Sequence, residues 1–358
     1  MYEHLGLLDF PYLIIYGGVA TLALVACCYL LLARANIFAP TVRPSRELRV
    51  WAAVFMAAVA MSHVWWSSLG TVWFQDDHHL RNAIAITLDS VTLEPSMMIL
   101  LLRMLQDRRR SLWPIALSIV PMLVIGVGVG MIMRNSEYEW MMRDYMLVIC
   151  VLFIIYMVYA VNKYSQWLRE NYADLERKEV WQSLLMLVVI LLCLIVYKTN
   201  YGGIVIEYAT QLFTLVLIFF VIWRVETLQE LTPTPAATPV PTPAVAVGSL
   251  LEQYREETMF YLQHDLTLNQ LAIAIGTNRT YLSSYFATQG ITYNTYINRL
   301  RVEHFIRLYR KAVAEGRLVT AMEIARQSGY SSYSTFSIAF KRFTGTTVAE
   351  WMKREEKV

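Results

Sequence analysis

The stretch TAMEIARQSGYSSYSTFSIAF, Thr320 to Phe340, has an echo earlier in the chain: TLNQLAIAIGTNRTYLSSYF, Thr267 to Phe286. Ile324-Ala325 aligns with Leu271-Ala272 and Gly329 with Gly276, while Phe336 and Phe340 match Leu282 and Phe286 after one inserted residue. Each shared feature has a mechanical reason. Thr320 and Thr267 belong to the residue types that cap the start of a short helix. Ala325 and Ala272 are small where a first helix must approach a second closely. Gly329 and Gly276 can take the positive φ that a sharp turn between helices requires. The later apolar residues pin the second helix onto a core and leave its other face free for a groove. One such match is a modest signal, because many helix pairs look alike. Two in one chain predict a tandem of helix-turn-helix units.

Between the copies, residues 292 to about 313 (TYNTYINRLRVEHFIRLYRKAV) read as one long amphipathic helix. Tyr296, Leu300 and the Phe305/Tyr309 pair mark its buried stripe at helical spacing. Arg299, Arg307, Arg310 and Lys311 leave a basic remainder, which fits a solvated face and a nucleic-acid face equally well. From residue 249 onward fourteen Lys/Arg stand against ten Asp/Glu. The surplus is mild, so affinity for a polyanion has to rest on contacts clustered on one face.

Upstream lies TPTPAATPVPTPAV, residues 232 to 245, with five of the eleven prolines of the chain. Proline fixes its own φ and pushes the preceding residue toward extended geometry, so the run reads as a semi-rigid spacer. What it separates is visible in the composition. The chain is 56% hydrophobic and 16% charged, where a soluble protein has about 25% charged residues. The excess of apolar residues lies entirely before the spacer.

Seven stretches there reach the ~20 apolar residues that cross a bilayer: about 11–33, 49–69, 83–103, 113–133, 145–162, 180–198 and 204–224. The first has no positive N-flank and too long an apolar run for a secretory signal, so it reads as an uncleaved span. The segments after the first, third and fifth spans carry Arg34, Arg43, Arg46 and Arg49; Arg103, Arg108, Arg109 and Arg110; Lys163, Arg169, Arg177 and Lys178. The alternate segments carry only Arg81, Arg134, Arg143 and Lys198 and are acidic besides. The positive-inside rule then puts the N-terminus outside and the C-terminus in the cytoplasm. Domain boundaries follow at 1–230 for the membrane half, 231–248 for the linker and 249–358 for the second half.

Ionisable residues within spans are costly and mark candidate sites. His63, Asp89, Glu207 and Lys198 fall in the outer half of the bilayer and Glu94, followed by Pro95, nearer the midplane. Convergence would make a polar pocket for a small ligand of unknown identity; mutual pairing as helix-packing features is the alternative. The loop QDDHHLRN (Asp76, Asp77, His78, His79) lacks the spacing of a metal site, and there is no HExxH, so no metal, cofactor or enzymatic activity is expected. Cys27, Cys28, Cys150 and Cys193 all lie in apolar runs and read as small buried hydrophobes. Gly126 and Gly130 form a small-xxx-small pair suited to close helix approach, within the bundle or between subunits.

The spacing of the two copies, the helix between them and GYSSYSTFSIAFKRFTG at 329–345 resemble the AraC/XylS family of bacterial transcription regulators over residues 250 to 352. The first 230 residues look like the multi-pass membrane halves that a minority of that family carries. The resemblance implies an all-α chain, a seven-helix bundle followed by a domain that inserts two recognition helices into successive major grooves of promoter DNA. Carried over by position, it implies Thr280, Ser283 and Ser284 at base edges from the first helix, and Tyr333, Ser334, Ser337 and Ile338 from the second. Arg279, Lys341 and Arg342 would meet phosphates. Val348 stands where the family usually has proline, a departure expected to loosen the start of the last helix.

These readings converge on a membrane-embedded one-component regulator in a bacterial inner membrane, sensing in the bilayer and binding double-stranded DNA in the cytoplasm. Two-fold pairing of the bundles would present two readers to repeated half-sites, and RNA polymerase is a further partner at a promoter. Three other arrangements fit the same domain order. The bundle is a transporter or enzyme with a DNA-binding autoregulator, or it is an anchor alone, or the reader is released by proteolysis of the spacer.

Overall fold

The computed structural model describes residues 9–33, 35–40, 42–74, 76–176, 178–182, 184–185, 188, 203–231 and 244–355. Their regular elements are helices; the pairing of Tyr172 with Thr267 is an isolated bridge, and no strand is formed among the described residues. The chain divides into two compact units, Met1–Tyr164 with Val180–Leu231, and Ser165–Glu179 with Thr232–Val358. The second unit thus includes Ser165–Glu179, a segment that the apolar pattern groups with the membrane half.

In the first unit six described helices are long and apolar enough to cross a membrane. We label them α1 (Asp9–Leu32), α2 (Arg46–Ser68, running on as wide turns through Leu69–Trp73), α3 (His78–Arg103), α4 (Trp113–Leu123, continued by Val124–Ile132), α5 (Tyr138–Asn171) and α6 (Gly203–Thr227). The span expected at 180–198 falls largely outside the described residues. Local chemistry sets the helix ends: Asp77 caps α3 by accepting the Leu80 N–H at 3.0 Å, and Pro114 opens α4, where its missing N–H costs nothing. α1 packs on α2, α2 on α3 and α3 on α4, while α6 returns against α1 and α2. Gly126 and Gly130 are used inside the chain: a Cβ at Gly126 would fall 1.9 Å from Thr87 Oγ1 of α3, and one at Gly130 3.0 Å from the Tyr138 ring. The cysteines divide: Cys150 is buried, Cys27 half-buried and Cys28 exposed. Cys28 departs from the buried role expected of it, since α1 turns an apolar face outward, as a helix in lipid does.

The loop after α1 and the stretch after α6 are tied together. The Glu226 carboxylate accepts the Tyr29 hydroxyl and, at 2.7 Å, the Phe38 N–H. Arg49 donates to the carbonyls of Leu30, Tyr29 and Ala33, which closes the open C-terminal end of α1. Gln106, from the loop after α3, donates to the Gln229 carbonyl at 3.0 Å and accepts the Leu231 N–H at 2.8 Å.

In the second unit α7 (Ala244–Thr258) is followed by a short 3₁₀ turn, then α8 (Leu268–Ala274), α9 (Arg279–Thr288), α10 (Tyr293–Ala314), α11 (Ala321–Gln327), α12 (Tyr333–Thr344) and α13 (Val348–Glu355). α7 starts inside the stretch expected as linker, because Val247 and Leu251 are buried against the first copy. α10 serves both copies: Tyr293, Ile297 and Leu300 join one apolar cluster, Val302, Phe305 and Tyr309 the next. At Val348, buried at the start of α13, the Thr347 hydroxyl and the Glu350 carboxylate exchange bonds with each other's N–H groups. The helix therefore starts firmly without proline.

Candidate nucleic-acid interface

α8–α9 and α11–α12 are two helix-turn-helix units built by one recipe. Thr267 and Thr320 each cap the first helix in a reciprocal box, with Gln270 and Glu323 returning the bond to the cap N–H. Gly276 and Gly329 occupy the turn at φ +75° and +89°, the left-handed region that disfavours a side chain. Ala272, Leu282 and Phe286 in one unit, and Ala325, Phe336 and Phe340 in the other, are buried where the sequence put the scaffold. The glycines are not equivalent in surroundings. A Cβ at Gly276 would meet open space, whereas one at Gly329 would sit 2.9 Å from the Leu262 Cα.

The second helices are capped by Asn278 and Ser332, whose side chains accept the N–H of Tyr281 and Thr335. Each buries one face and offers another. Thr280 and Ser284 are exposed and Ser283 is half-exposed on α9; Tyr333, Ser334 and Ile338 are exposed and Ser337 is half-exposed on α12. Ile338, at 69% exposure, is an isoleucine no core consideration explains. Arg279, Thr280, Ser283, Ser284 and Ala287 line an open concavity of about 340 Å³. Arg279, Lys341 and Arg342 are exposed at the margins of these faces. Arg279 is not idle, because its Nε donates to Asn171 Oδ1 at 2.8 Å.

The basic remainder of α10 is largely engaged within the chain. Arg299 pairs with Glu303 at 2.9 Å, Arg310 with Glu355 at 2.8 Å, and Arg307 donates to the Tyr261 hydroxyl at 3.1 Å. That favours the solvated reading of this face. Sequence reasoning missed Arg301, which is fully buried on the same helix. It donates to the Tyr261 carbonyl at 2.7 Å and the Gln263 carbonyl at 2.9 Å, and pairs with Asp174 at 2.7 Å. The signal was available: Ile297, Arg301, Phe305 and Tyr309 step at four-residue intervals, so an arginine stood in the apolar stripe and required an anion.

Three carboxylates of the second copy titrate low. The Thr320 N–H and hydroxyl hold Glu323 below the usual range, those of Thr347 do the same for Glu350, and the Arg310 guanidinium does so for Glu355. His304 is pushed down by burial and by neighbouring Arg307.

Of the candidate pocket groups in the apolar half, His63 and Asp89 have partners of their own. His63 contacts the Val59 carbonyl at 2.8 Å and Gln211 Oε1 of α6 at 3.0 Å. The Asp89 carboxylate accepts the indole N–H of Trp65 at 3.0 Å and of Trp66 at 2.6 Å. Both Glu94 oxygens are buried without a hydrogen-bond partner among the described residues. Glu207 is half-buried on α6, and Lys198 lies outside the described residues.

With this geometry in view, comparison with known proteins is decisive for one region. Residues 271–354 match a family described as a helix-turn-helix domain. The chain carries an AraC-type helix-turn-helix domain. An uncharacterized HTH-type transcriptional regulator of Staphylococcus aureus (strain MRSA252) is 32% identical over 92 residues, which are 25% of this chain and 12% of that protein. The chain thus spans about an eighth of the length of the curated relative it matches. No solved structure matches the chain. The helix-turn-helix domain takes in most of both copies, so the tandem belongs to it, and the apolar helices lie outside the matched residues.

Proposed function

We propose that the chain is a membrane-embedded, one-component transcription regulator that binds promoter DNA through both helix-turn-helix copies. What supports this reading is the doubled, capped geometry with two outward faces, Thr280/Ser283/Ser284 and Tyr333/Ser334/Ser337/Ile338, flanked by Arg279, Lys341 and Arg342. Hydroxyls donate or accept at several base edges, and Ile338 suits a thymine methyl. The arginines and Lys341 act as position-setting phosphate contacts. The test is selection of duplex sites with the full chain in lipid nanodiscs. Ser283→Ala and Tyr333→Ala change the preferred bases. Arg342→Ala weakens all sites alike and lowers the salt slope by about one. Unchanged preference and affinity in all three would refute the assignment.

The membrane half supplies the signal input in this reading, with the N-terminus outside and the reader in the cytoplasm of a bacterium. Glu94 is the group best placed to respond, being a carboxyl in the apolar bundle whose oxygens have no hydrogen-bond partner among the described residues. Response requires that a ligand favour one bundle arrangement over another. Glu94→Gln should abolish regulation of a reporter gene while leaving duplex binding intact; unaltered regulation would remove Glu94 from the sensing role.

A further inference from the structure

The segment 165–179 is predicted to be an inner loop between two spans, yet it belongs to the second unit. Its first part, to Asn171, is the end of α5. Its contacts are with the reader. Tyr172 bridges to Thr267, the Ala173 N–H donates to the Leu266 carbonyl at 3.1 Å, and Asn294 donates to the Ala173 carbonyl at 2.5 Å. Ala173 is buried within the apolar cluster of the first copy. Asp174 takes both ends of the Arg301 guanidinium, at 2.7 and 3.3 Å, and also accepts the Asp265 N–H at 3.0 Å. Lys178, 2% exposed, donates to Asp265 at 2.7 Å. Asp265 has φ +56°, a strained value for a residue with a side chain. Bonds from Asp174 and Lys178 hold it there.

Two further contacts reach the proposed DNA-binding edge. Asn171 occupies the Nε of Arg279, the first residue of α9. The exposed Glu176 accepts the Ser331 hydroxyl at 3.1 Å, one residue before the cap of α12. A helix N-terminus is where a phosphate would settle, and a carboxylate there opposes one by charge. Asp174 and Lys178 are paired internally, so Glu176 is left presenting its charge outward.

We infer that segment 165–179 is an intramolecular strap seated on the reader, and that Asn171 and Glu176 occupy backbone-phosphate positions at the starts of both recognition helices. DNA and the strap's outer contacts therefore exclude each other. Asp174 and Lys178 anchor the strap, while Asn171 and Glu176 are the part that yields. This inference rests on the DNA-binding reading above, and it makes α5 a second route, beside the spacer, from the bilayer to the reader.

The experiment uses the full chain in nanodiscs and a fluorescent 40-base-pair duplex of mixed sequence. Glu176→Gln and Asn171→Ala bind this duplex about tenfold more tightly than the unaltered chain. A chain with Glu176→Cys and Ser331→Cys, closed by a short reducible cross-linker, binds at least about tenfold more weakly until reduced. Weaker binding by Glu176→Gln, or equal binding by the closed and reduced forms, would overturn the strap and make the segment part of the DNA-binding surface. Absence of binding by every chain, the unaltered one included, would instead sink the DNA-binding reading and the strap with it.

Discussion

The two helix-turn-helix copies share a recipe and differ in what completes them. The second is completed by the helices on either side of it: Phe305 of α10 meets Phe336 at 4.5 Å between ring centroids, and Phe340 meets Trp351 of α13 at 5.4 Å. The first borrows, since its apolar cluster includes Ala173 from the strap and Val247 and Leu251 from α7. The caps differ as well, because Gln270 closes the box in the first copy and the ionisable Glu323 in the second. The contrast teaches that a repeated motif fixes the local turn but not the independence of the unit. The first copy is the one whose completion reaches back beyond the reader's own run of chain, to Ala173.

The largest expected effect breaks the second copy. Phe336→Ala, with Phe336 fully buried, should cost about 3–5 kcal/mol. In hydrogen exchange on the full chain, protection should fall in 321–344 before 268–288; equal loss in both would mean the copies open as one. Asp174→Ala attacks the borrowing copy, since it leaves a buried guanidinium without its anion. The cost should be about 3 kcal/mol, tempered by the two carbonyls that remain, with exchange rising first around 260–267. An unchanged profile there would show that the strap is ornamental.

The turn glycines give a smaller and sharper contrast. Gly276→Ala should cost roughly 1–2 kcal/mol for its left-handed backbone alone. Gly329→Ala should cost more, because its Cβ meets main chain of Leu262. Similar melting shifts for the two would contradict the packing difference. Thr267→Ala and Thr320→Ala should each cost about 1 kcal/mol at neutral pH.

Acid gives the finest distinction. Glu323 is held below its ordinary value in the folded chain, so its contribution is full above the unfolded value and is lost as pH falls through the folded one. Gln270 cannot titrate. Exchange protection near 320–323 should therefore decline in acid ahead of that near 267–270, and Glu323→Gln should shrink the gap. An undiminished gap would assign the acid sensitivity to Glu350 and Glu355 instead.

Much of the reader was legible because its signals are local. Thr267, Gly276 and Leu282, and their counterparts, act across at most a few turns of chain, so spacing alone reveals them. The strap was not legible. Asp174 and Arg301 are 127 residues apart, and nothing near Asp174 marks it as a partner; only Arg301, misplaced in an apolar stripe, announced that one must exist. The length of α5 was not legible for a related reason. The apolar run ends near residue 162, but the sequence NKYSQWLREN holds no proline or glycine to stop the helix. In the bundle, the grip of His63 on Gln211 and of Asp89 on the paired indoles could not be read.

The hold of Gln106 on Gln229 and Leu231 has a mechanical meaning. One amide fastens the main chain at two points just before the proline run begins, so a pull arriving along that run is delivered to the turn between α3 and α4 as well as to α6.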